Sequence, residues 1–311
     1  MQQPIYIIGA GAIGKALAVF LQETGKEVHL LRGSIQDGTI SSERIKVEMP
    51  DGIWQESTIT IATLNNFPVL NGIIVLATKS FGNVRLAKIL KAKTGDAPIV
   101  LLQNGLGVEQ PFMDEQFPAV YRCVLFVTSQ LINQQTVRFK PVSGCPVGIE
   151  RGTMQQLAFL VEQLSTPLFQ FKEEENIQPI IWKKSIVNCV FNTICPLLEV
   201  DNGIFHRSEE ARQIARRIIF ECTTIAITKG VNLEVVEVEN SLLQISRLSD
   251  GQEISTLQDI RNKRETEIET LNPAVVRIAE SLGMGEQVTE TRLLGDLVKL
   301  KAELNNHGFP K

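Results

Sequence analysis

Apolar residues in the first half of the chain come in short runs, separated by longer amphipathic stretches. The run "IYII" at 5–8 is continuous enough for a buried strand, and residues 12–24 follow with helical spacing up to Gly25. Further strand-like runs occupy 27–31 ("EVHLL"), 72–78 ("GIIVLAT"), 98–103 ("PIVLLQ") and 120–129 ("VYRCVLFVTS"). Segments of helical length separate these runs. The alternation predicts a mostly parallel sheet with helices on both of its faces.

The pattern changes after residue 129. Residues 130–150 alternate about a turn at 133–136, which predicts an antiparallel hairpin appended to the sheet. Beyond residue 175 the strand-like runs disappear and helical periodicity continues to the C terminus. The predicted helices cover 176–200, 208–229, 235–248, 255–271, 273–282 and 288–304. We therefore predict an α/β protein with a doubly wound sheet domain over 1–175 and an all-helical second domain over 176–311.

Composition excludes several classes of protein. The 311 residues are 43% hydrophobic and 21% charged, which is typical of a globular chain with a large core. The formal net charge of −4 argues against a nucleic-acid partner, since such partners require concentrated basic surface. No apolar run approaches the roughly 20 residues of a membrane span. The N-terminal residues lack the basic region of a signal peptide.

The cysteines and histidines argue against disulfide bonds and metal sites. Five cysteines lie scattered without CxxC spacing, which predicts reduced thiols rather than a disulfide framework or a zinc site. Three histidines are too dispersed for a metal cluster. We expect a cytoplasmic protein without a metal, a nucleic-acid partner or a membrane partner. The sequence leaves the oligomeric state open, a homodimer included.

A glycine-rich segment, "GAGAIG" at 9–14, joins the first strand to the first helix. In a βαβ unit this G-x-G-x-x-G spacing is typical of a Rossmann-type dinucleotide site. Gly9 allows the tight turn, Gly11 lets the backbone approach a pyrophosphate, and Gly14 permits close helix–sheet packing. The phosphates would lie on the N–H groups at the helix N-terminus. The structural alternative is a turn that merely tolerates glycines.

The second strand ends in "LLRGS", where an NAD-specific site would carry an acidic residue. A carboxylate there binds the ribose hydroxyls and would repel a 2′-phosphate. Arg32 instead offers charge-assisted hydrogen bonds to such a phosphate, with Ser34 as a second candidate donor. This favours NADP(H) over NAD(H). The alternative is that Arg32 is a solvated surface charge.

Two more polar residues follow predicted strands directly. Lys79 comes after "IIVLAT" and Asn104 after "IVLLQ", each at the carboxyl edge of a parallel strand. Ligands of doubly wound sheets bind along that edge. Each residue alone could equally be an ordinary loop residue, but beside the glycine loop both become candidate ligands.

The segment "WKKSIVNCVFNTICP" at 182–196 carries a polar stripe on an otherwise apolar helix. Lys184, Asn188 and Asn192 are spaced i, i+4 and i+8 and share one face. Buried ammonium and amide groups need partners, so the stripe must face another polar element or a ligand. The two interpretations are a hydrogen-bond network between helices, and a lysine acid with amide donors facing an interdomain cleft.

A second polar cluster occurs in "EISTLQDIRNKRETEIETLN" at 253–272. Ser255, Asp259 and Glu267 are four and eight residues apart, so on one continuous helix they would lean to one side. By itself this cluster is at least as well explained as a solvated face.

Taken together and in this order, "GAGAIG", "TK" after a strand, "QNGLG", "WKKSIVNCVFN", "DNG" at 201–203 and "STLQD…RETEIETLN" resemble the ketopantoate reductase family. The resemblance runs over nearly the whole chain. It implies a Rossmann domain, an all-helical C-terminal domain, and reduction of 2-dehydropantoate, a small 2-oxo acid, by NADPH. It departs at Gln252, where asparagine is common, at Pro273, where glycine is frequent, and at Cys195-Pro196, where Thr-Ala is commoner.

Carried over residue by residue, the resemblance implies roles for the candidates. It makes Lys184 and Glu267 the catalytic residues, with Lys184 as general acid. It places Asn104, Asn188, Asn192, Asn202 and Ser255 at the substrate. The cofactor side comprises Gly9, Ala10, Gly11, Ala12, Ile13, Gly14, Arg32, Lys79, Asn104 and Glu267.

Three rival functions remain at this point. A reductase of another branched 2-oxo acid is the nearest. An opine- or glycerol-phosphate-type dehydrogenase shares the architecture, but the Lys–Asn–Asn stripe speaks against it. A non-catalytic NADP(H)-binding regulator should have lost Lys184 or Glu267, and both are present.

Overall fold

The structure is a computed structural model that describes residues 3–33 and 35–307. Contacts divide the chain into two compact units. The first contains the residues up to Asn104 together with Val108–Ile177; the second contains Gly105–Gly107 and the residues from Gln178 onwards. Over the described ranges, none of the helices combines the length and the hydropathy needed to cross a bilayer.

The first unit is built on one sheet, whose described strands number 11. The strands are β1 (Ile5–Ile8), β2 (Val28–Arg32), β3 (Ser41–Glu48), β4 (Trp54–Thr63), β5 (Ile73–Leu76), β6 (Ile99–Leu101), β7 (Val120–Cys123), β8 (Val127–Asn133), β9 (Thr136–Pro141), β10 (Cys145–Arg151) and β11 (Phe171–Glu173). Their spatial order is β11-β10-β7-β6-β5-β1-β2-β4-β3-β9-β8. All neighbours pair in parallel except β10–β7, β3–β4 and β8–β9. The predicted doubly wound, mostly parallel sheet is confirmed.

Helices cover both faces of this sheet, and β1 shows why. Ile5 and Ile7 pack into one hydrophobic cluster, while Tyr6 and Ile8 pack into another. Successive side chains of a strand point to opposite faces, so a run that is apolar throughout buries both. The helices of the unit are α1 (Ala12–Glu23), α2 (Asn83–Thr94), α3 (Gln110–Asp114) and α4 (Met154–Leu164). Helices α1 and α4 pack into the first cluster, and α2 and α3 into the second.

The end of α1 follows from its sequence. Gly25 adopts a positive φ of 76° and donates its N–H to the Gln22 carbonyl, while the Lys26 N–H bonds the Leu21 carbonyl. This pair of bonds is a Schellman motif, which satisfies carbonyls that the last helical turn leaves open. The helix thus ends where the sequence predicted, and the chain turns directly into β2.

Two predictions for this unit need correction. The run 120–129 was predicted as one strand, but it forms β7 and β8, separated at 124–126. The interval between β2 and β5 was assigned to segments of helical length, yet it contains the antiparallel pair β3–β4. The hairpin about residues 133–136 is confirmed as β8–β9, and it joins the sheet through parallel pairing of β9 with β3. Its predicted extent to residue 150 is wrong, because Cys145–Arg151 form β10, which pairs with β7.

In the second unit, the described residues form helices and short 3-10 turns, as predicted. The helices are α5 (Gln178–Leu198), α6 (Ile204–Arg207), α7 (Glu209–Thr228), α8 (Val235–Leu248), α9 (Ser255–Arg261), α10 (Asn272–Ser281) and α11 (Thr289–His307). The prediction of one helix over 255–271 is wrong. The chain leaves α9 after Arg261, passes Lys263 at a positive φ of 52° and forms a 3-10 turn at Ile268–Thr270.

Candidate active site

The glycine loop has the backbone geometry that close packing demands. Gly9 has a φ of 124°, and a Cβ there would lie 2.6 Å from the backbone carbon of Ala77. A Cβ on Gly14 would overlap the Gly9 carbonyl oxygen. Gly11, by contrast, faces open space, with nothing within 4 Å of a Cβ. It also begins α1, whose first-turn N–H groups lack intrahelical acceptors. The loop therefore presents backbone donors at an open position, as an anionic ligand requires.

Arg32 ends β2 at the same edge of the sheet, half-buried. Its Nη2 donates a weak 3.4 Å hydrogen bond to Ser41 Oγ. Its Nε and the side-chain nitrogen of Gln36 are buried, and within residues 3–33 and 35–307 neither has a hydrogen-bond partner. Hydrogen bonds from Thr39 and, to a smaller extent, the charge of Arg32 lower the pKa of Asp37. Ser34, the other predicted donor, lies outside the described residues.

The residues after β5 and β6 are held by a buried amide pair. Lys79 is half-buried and begins the 3-10 turn at Ser80–Gly82, while Asn104 is exposed. Beside them, Gln103 and Asn83 exchange two 2.8 Å side-chain hydrogen bonds. Gln103 also donates to the Thr78 carbonyl at 3.0 Å. The sequence analysis missed Asn83; a polar residue opening a helix beside a strand end is the signal that could have found it.

In the second unit, the polar stripe of α5 meets the beginning of α9. Asn192 is 4% exposed, and its Oδ1 accepts hydrogen bonds of 3.4 Å from both Ser255 Oγ and the Thr256 N–H. Its Nδ2 donates to the Asn188 carbonyl at 3.0 Å. Lys184 and Asn188 are half-buried on the same helix. The structure thus joins two predicted clusters, the α5 stripe and Ser255, through Asn192. These hydrogen bonds use one of the two Nδ2 hydrogens of Asn192, and the other can bind a further acceptor.

Asn202 is buried in the second unit and bonds α8 and the segment that follows it. Its N–H donates to the Gln252 carbonyl at 2.9 Å, and its carbonyl accepts from Ser246 Oγ at 2.7 Å. Its side-chain oxygen is buried, and no described residue donates a hydrogen bond to it. Ser246 is fully buried and also contacts the His206 ring. The sequence analysis missed it, although a serine among the apolar positions of α8 marks a polar contact. Gln252 contributes its backbone here, so the departure from asparagine does not alter this bond.

The neighbouring Asp201 is a structural carboxylate. Both of its oxygens accept 2.8 Å hydrogen bonds from Arg207, and one also accepts from the Gly203 N–H at 2.7 Å. These bonds, that of Arg207 foremost, lower the pKa of Asp201. These hydrogen bonds hold the "DNG" turn.

Glu267 occupies a different position from the one predicted. It precedes the 3-10 turn at Ile268–Thr270, and its carbonyl accepts from Thr270 Oγ1 at 3.0 Å. Asp259, on α9, is ion-paired with Arg264 at 3.0 Å. Since the chain leaves the helix between these residues, the prediction that Ser255, Asp259 and Glu267 share one helix face is wrong. The Thr270 carbonyl accepts the Leu106 N–H at 2.8 Å, so "GLG" at 105–107 packs on the turn that follows Glu267.

The remaining departures from the family pattern are accommodated locally. Pro196 lies inside α5, two residues before its end, and its carbonyl accepts from Lys301 at 2.8 Å. Pro273 occupies the first turn of α10, where a missing N–H costs nothing. Burial, with a smaller contribution from Asp201, raises the pKa of Cys195 to about 12. Burial therefore favours the protonated form of the Cys195 thiol, which is the less reactive form.

Comparison with known proteins places this geometry in a family. Residues 5–147 match the family described as "Ketopantoate reductase PanE/ApbA", and residues 176–302 match "Ketopantoate reductase PanE/ApbA C terminal". The two matched segments contain every candidate site residue described above.

Individual proteins with similar chains or folds include three of interest. A 2-dehydropantoate 2-reductase of Pyrococcus abyssi is 24% identical over 303 residues, covering 96% of this chain and 98% of its own. A dimeric ketopantoate reductase from Staphylococcus aureus has a TM-score of 0.79 at 20% identity, covering 97% of this chain and 99% of its own. D-mandelate dehydrogenase with NADH and anilino(oxo)acetate has a TM-score of 0.82 at 22% identity, with the same coverage of 97% and 99%.

Proposed function

The chain belongs to the ketopantoate reductase family, and from that premise we propose that it reduces 2-dehydropantoate (ketopantoate) to pantoate with NADPH. The reaction would serve pantothenate and coenzyme A biosynthesis. The name of the Pyrococcus relative, which matches over 96% of this chain, supports the activity. The enzyme is then an oxidoreductase whose partner is a small 2-oxo acid.

The observation that carries the proposal is the contact of Asn192 with Ser255 and Thr256. It brings the lysine-bearing helix α5 and the start of α9 together inside one unit. A 2-oxo acid presents a carboxylate beside a ketone. Its reduction therefore needs a hydrogen-bond donor to the carboxylate close to a proton donor for the ketone oxygen. Ser255 and Lys184 are residues of those two types on the two joined elements.

The first unit has the features that NADPH requires. The glycine loop offers N–H groups at the open position of Gly11, and among the described residues the buried Nε of Arg32 finds no hydrogen-bond acceptor. A 2′-phosphate is an acceptor of the right charge for that guanidinium. Lys79 and Asn104 extend the same edge of the sheet. When bound, NADPH supplies the hydride for the ketone carbon.

The roles of the chain's own residues follow from their chemistry. Lys184, as an ammonium, donates its proton to the ketone oxygen as negative charge develops there, which both completes the alcohol and stabilises the transition state. The Ser255 hydroxyl would turn its single hydrogen from Asn192 Oδ1, a weak acceptor at 3.4 Å, to the substrate carboxylate. The amides of Asn188, Asn192 and Asn202 orient the substrate, and Glu267 binds its hydroxyl end.

A substrate panel tests this function. We expect NADPH oxidation to be fastest, by kcat/KM, with ketopantoate among branched and aromatic 2-oxo acids. A clear preference for another 2-oxo acid would transfer the same chemistry to that substrate. Tight NADPH binding without turnover of any oxo acid would identify a non-catalytic NADP(H)-binding regulator.

One second candidate has specific support. The fold similarity to D-mandelate dehydrogenase, at a TM-score of 0.82, favours a related reductase of a different 2-oxo acid. The 2-oxo acid of mandelate therefore belongs in the panel, assayed with both NADH and NADPH. Arg32 at the end of β2 favours NADPH in either case.

Substitutions at Ser255 and Glu267 are expected to affect the substrate more than the cofactor. Ser255→Ala and Glu267→Ala should each lower kcat/KM for the oxo acid by about tenfold, the cost of one hydrogen bond to a charged group. The NADPH dissociation constant should stay unchanged, as measured by titrating cofactor fluorescence. Ser281→Ala, in the second unit and exposed at the end of α10, is the matched control. Weakened NADPH binding with unaltered oxo-acid kinetics would remove the residue in question from the substrate site.

A further inference from the structure

The side chains of Gln103 and Asn83 form a buried amide pair in the first unit. Gln103 is 5% exposed and Asn83 3% exposed. Asn83 Nδ2 donates to Gln103 Oε1, and Gln103 Nε2 donates to Asn83 Oδ1, each at 2.8 Å. Residues that end parallel strands in a sheet core are usually apolar, since a buried amide must recover its lost hydration through hydrogen bonds. Burying the pair thus costs the hydration of two amides, at a position where an aliphatic side chain would pack without that cost.

The remaining hydrogens of the pair bind two backbone carbonyls. Gln103 Nε2 donates to the Thr78 carbonyl at 3.0 Å and lies 3.2 Å from Thr78 Oγ1. Asn83 Nδ2 donates to the Val108 carbonyl at 2.8 Å. The two side chains therefore connect four segments: the end of β5, the start of α2, the end of β6 and the loop that leads to α3.

These bonds begin where the backbone ladder stops. The last backbone bond between the two strand ends joins the Leu102 N–H to the Leu76 carbonyl at 2.9 Å. Beyond it, the Gln103 side chain supplies the donor for Thr78. Thr78 directly precedes Lys79, and Gln103 directly precedes Asn104. The amide pair thus determines how far apart the backbones of these two candidate ligands lie after their strands have ended.

A second buried contact holds the far end of the same loop. Arg122, on β7, is 2% exposed and forms an ion pair with Glu109. Glu109 immediately precedes α3. With Gln103 held at one end and Glu109 at the other, the loop that carries Asn104 is anchored on both sides of "NGLG".

From this arrangement we propose that Gln103 and Asn83 are positioning residues that hold Lys79 and Asn104 at the separation required for binding the nicotinamide cofactor. The inference rests on the proposed function, because Lys79 and Asn104 are cofactor ligands only within it. Displacement of catalytic groups by about 1 Å can lower a reaction rate on the order of 10²-fold. Hydrogen bonds from Lys79 and Asn104 to the cofactor depend on position in the same way, so the pair should have a measurable effect on NADPH binding.

The test replaces the amides by apolar side chains of similar size. Gln103→Met and Asn83→Leu each leave one buried amide without its partner and should lower Tm by several degrees. The double variant Gln103→Met/Asn83→Leu removes both amides, so neither is left buried without the other, and the remaining cost is the lost donors to the Thr78 and Val108 carbonyls. We expect its Tm to lie above that of either single variant, while its NADPH affinity stays about tenfold weaker. Recovery of the NADPH affinity in the double variant would show that the pair is only structural.

A second comparison does not depend on Tm. In the wild type, Gln103→Met should weaken NADPH binding about tenfold; in the Lys79→Ala/Asn104→Ala background it should cost less than about threefold, because the groups it positions are gone. Equal effects in the two backgrounds would overturn the proposal. Gln110→Met, an exposed glutamine on α3, is the matched control. Binding is measured by NADPH fluorescence below the Tm of every variant.

Turnover separates this inference from the proposed function. A wild type that binds NADPH but reduces no 2-oxo acid contradicts the function, and the binding comparisons still decide the inference. A wild type that reduces ketopantoate while Gln103→Met keeps full NADPH affinity and full kcat/KM contradicts the inference alone.

Discussion

Lys184→Ala is expected to fold, to bind NADPH normally and to lose about two to four decades of kcat, the usual contribution of a positioned proton donor. The reason is that no other residue of the α5 stripe can replace the ammonium: Asn188 and Asn192 carry amides, which donate hydrogen bonds without releasing a proton. Asn188→Ala should therefore cost less than Lys184→Ala. Single-turnover kinetics with ketopantoate measure the chemical step directly.

A structural role for Lys184 makes a different prediction. If the ammonium only supports a network between helices, its removal should leave partners unsatisfied and lower Tm, while the folded fraction turns over normally. Thermal unfolding recorded beside kinetics distinguishes the two roles. Lys183→Ala is the matched control, since Lys183 is also half-buried on α5 but points about 100° away around the helix. A near-native Tm with normal kcat in Lys184→Ala would eliminate it as the general acid.

Arg32→Ala is expected to weaken NADPH binding by about one to two decades and to leave NADH binding nearly unchanged. The guanidinium would make charge-assisted hydrogen bonds to the 2′-phosphate, each contributing about 1.5–3 kcal/mol. Within the described part of the chain, Arg32 makes the weak 3.4 Å hydrogen bond to Ser41 Oγ, so the substitution removes little stabilisation among these residues. Titration of cofactor fluorescence with NADPH and NADH measures the effect.

The matched control for Arg32 is Arg44→Ala. Arg44 is an exposed arginine on β3 of the same unit and is ion-paired with Glu56. Its removal changes the net charge equally but should leave both cofactor affinities within about twofold, because exposed charges at a distance are screened. Equal weakening of NADPH and NADH by Arg32→Ala would show that Arg32 supports the loop rather than the phosphate.

The sequence was most informative where structure is local. The β1–α1–β2 unit followed from an apolar run, three glycines and the stop at Gly25, and the structure confirms each element. Helix α8 has the predicted bounds, 235–248, because its apolar positions repeat with helical spacing and neither glycine nor proline interrupts them. Signals of this kind depend on residues within one or two turns of each other.

The secondary-structure prediction failed at two segments, for different physical reasons. The helix over 255–271 ends early because Arg264 returns to Asp259 through both its N–H and its guanidinium, which closes a turn within a strongly polar stretch. The strand β3 was missed because part of its pairing is remote: Lys46 lies beside Thr136 in the sheet. Such contacts leave no periodic trace in the segment itself.

In the candidate site, too, some features followed from the sequence and others depended on tertiary contacts. By itself, the sequence determined the family, the glycine loop, the charge at Arg32 and the polar stripe of α5, because each is a matter of residue type and short spacing. Only the tertiary structure decided that Asn192 contacts Ser255, 63 residues away, and that Gln103 reaches back 25 residues to Thr78. The physical reason is that a hydrogen bond depends on positions to within a few tenths of an ångström, and those positions are set by the packing of whole elements.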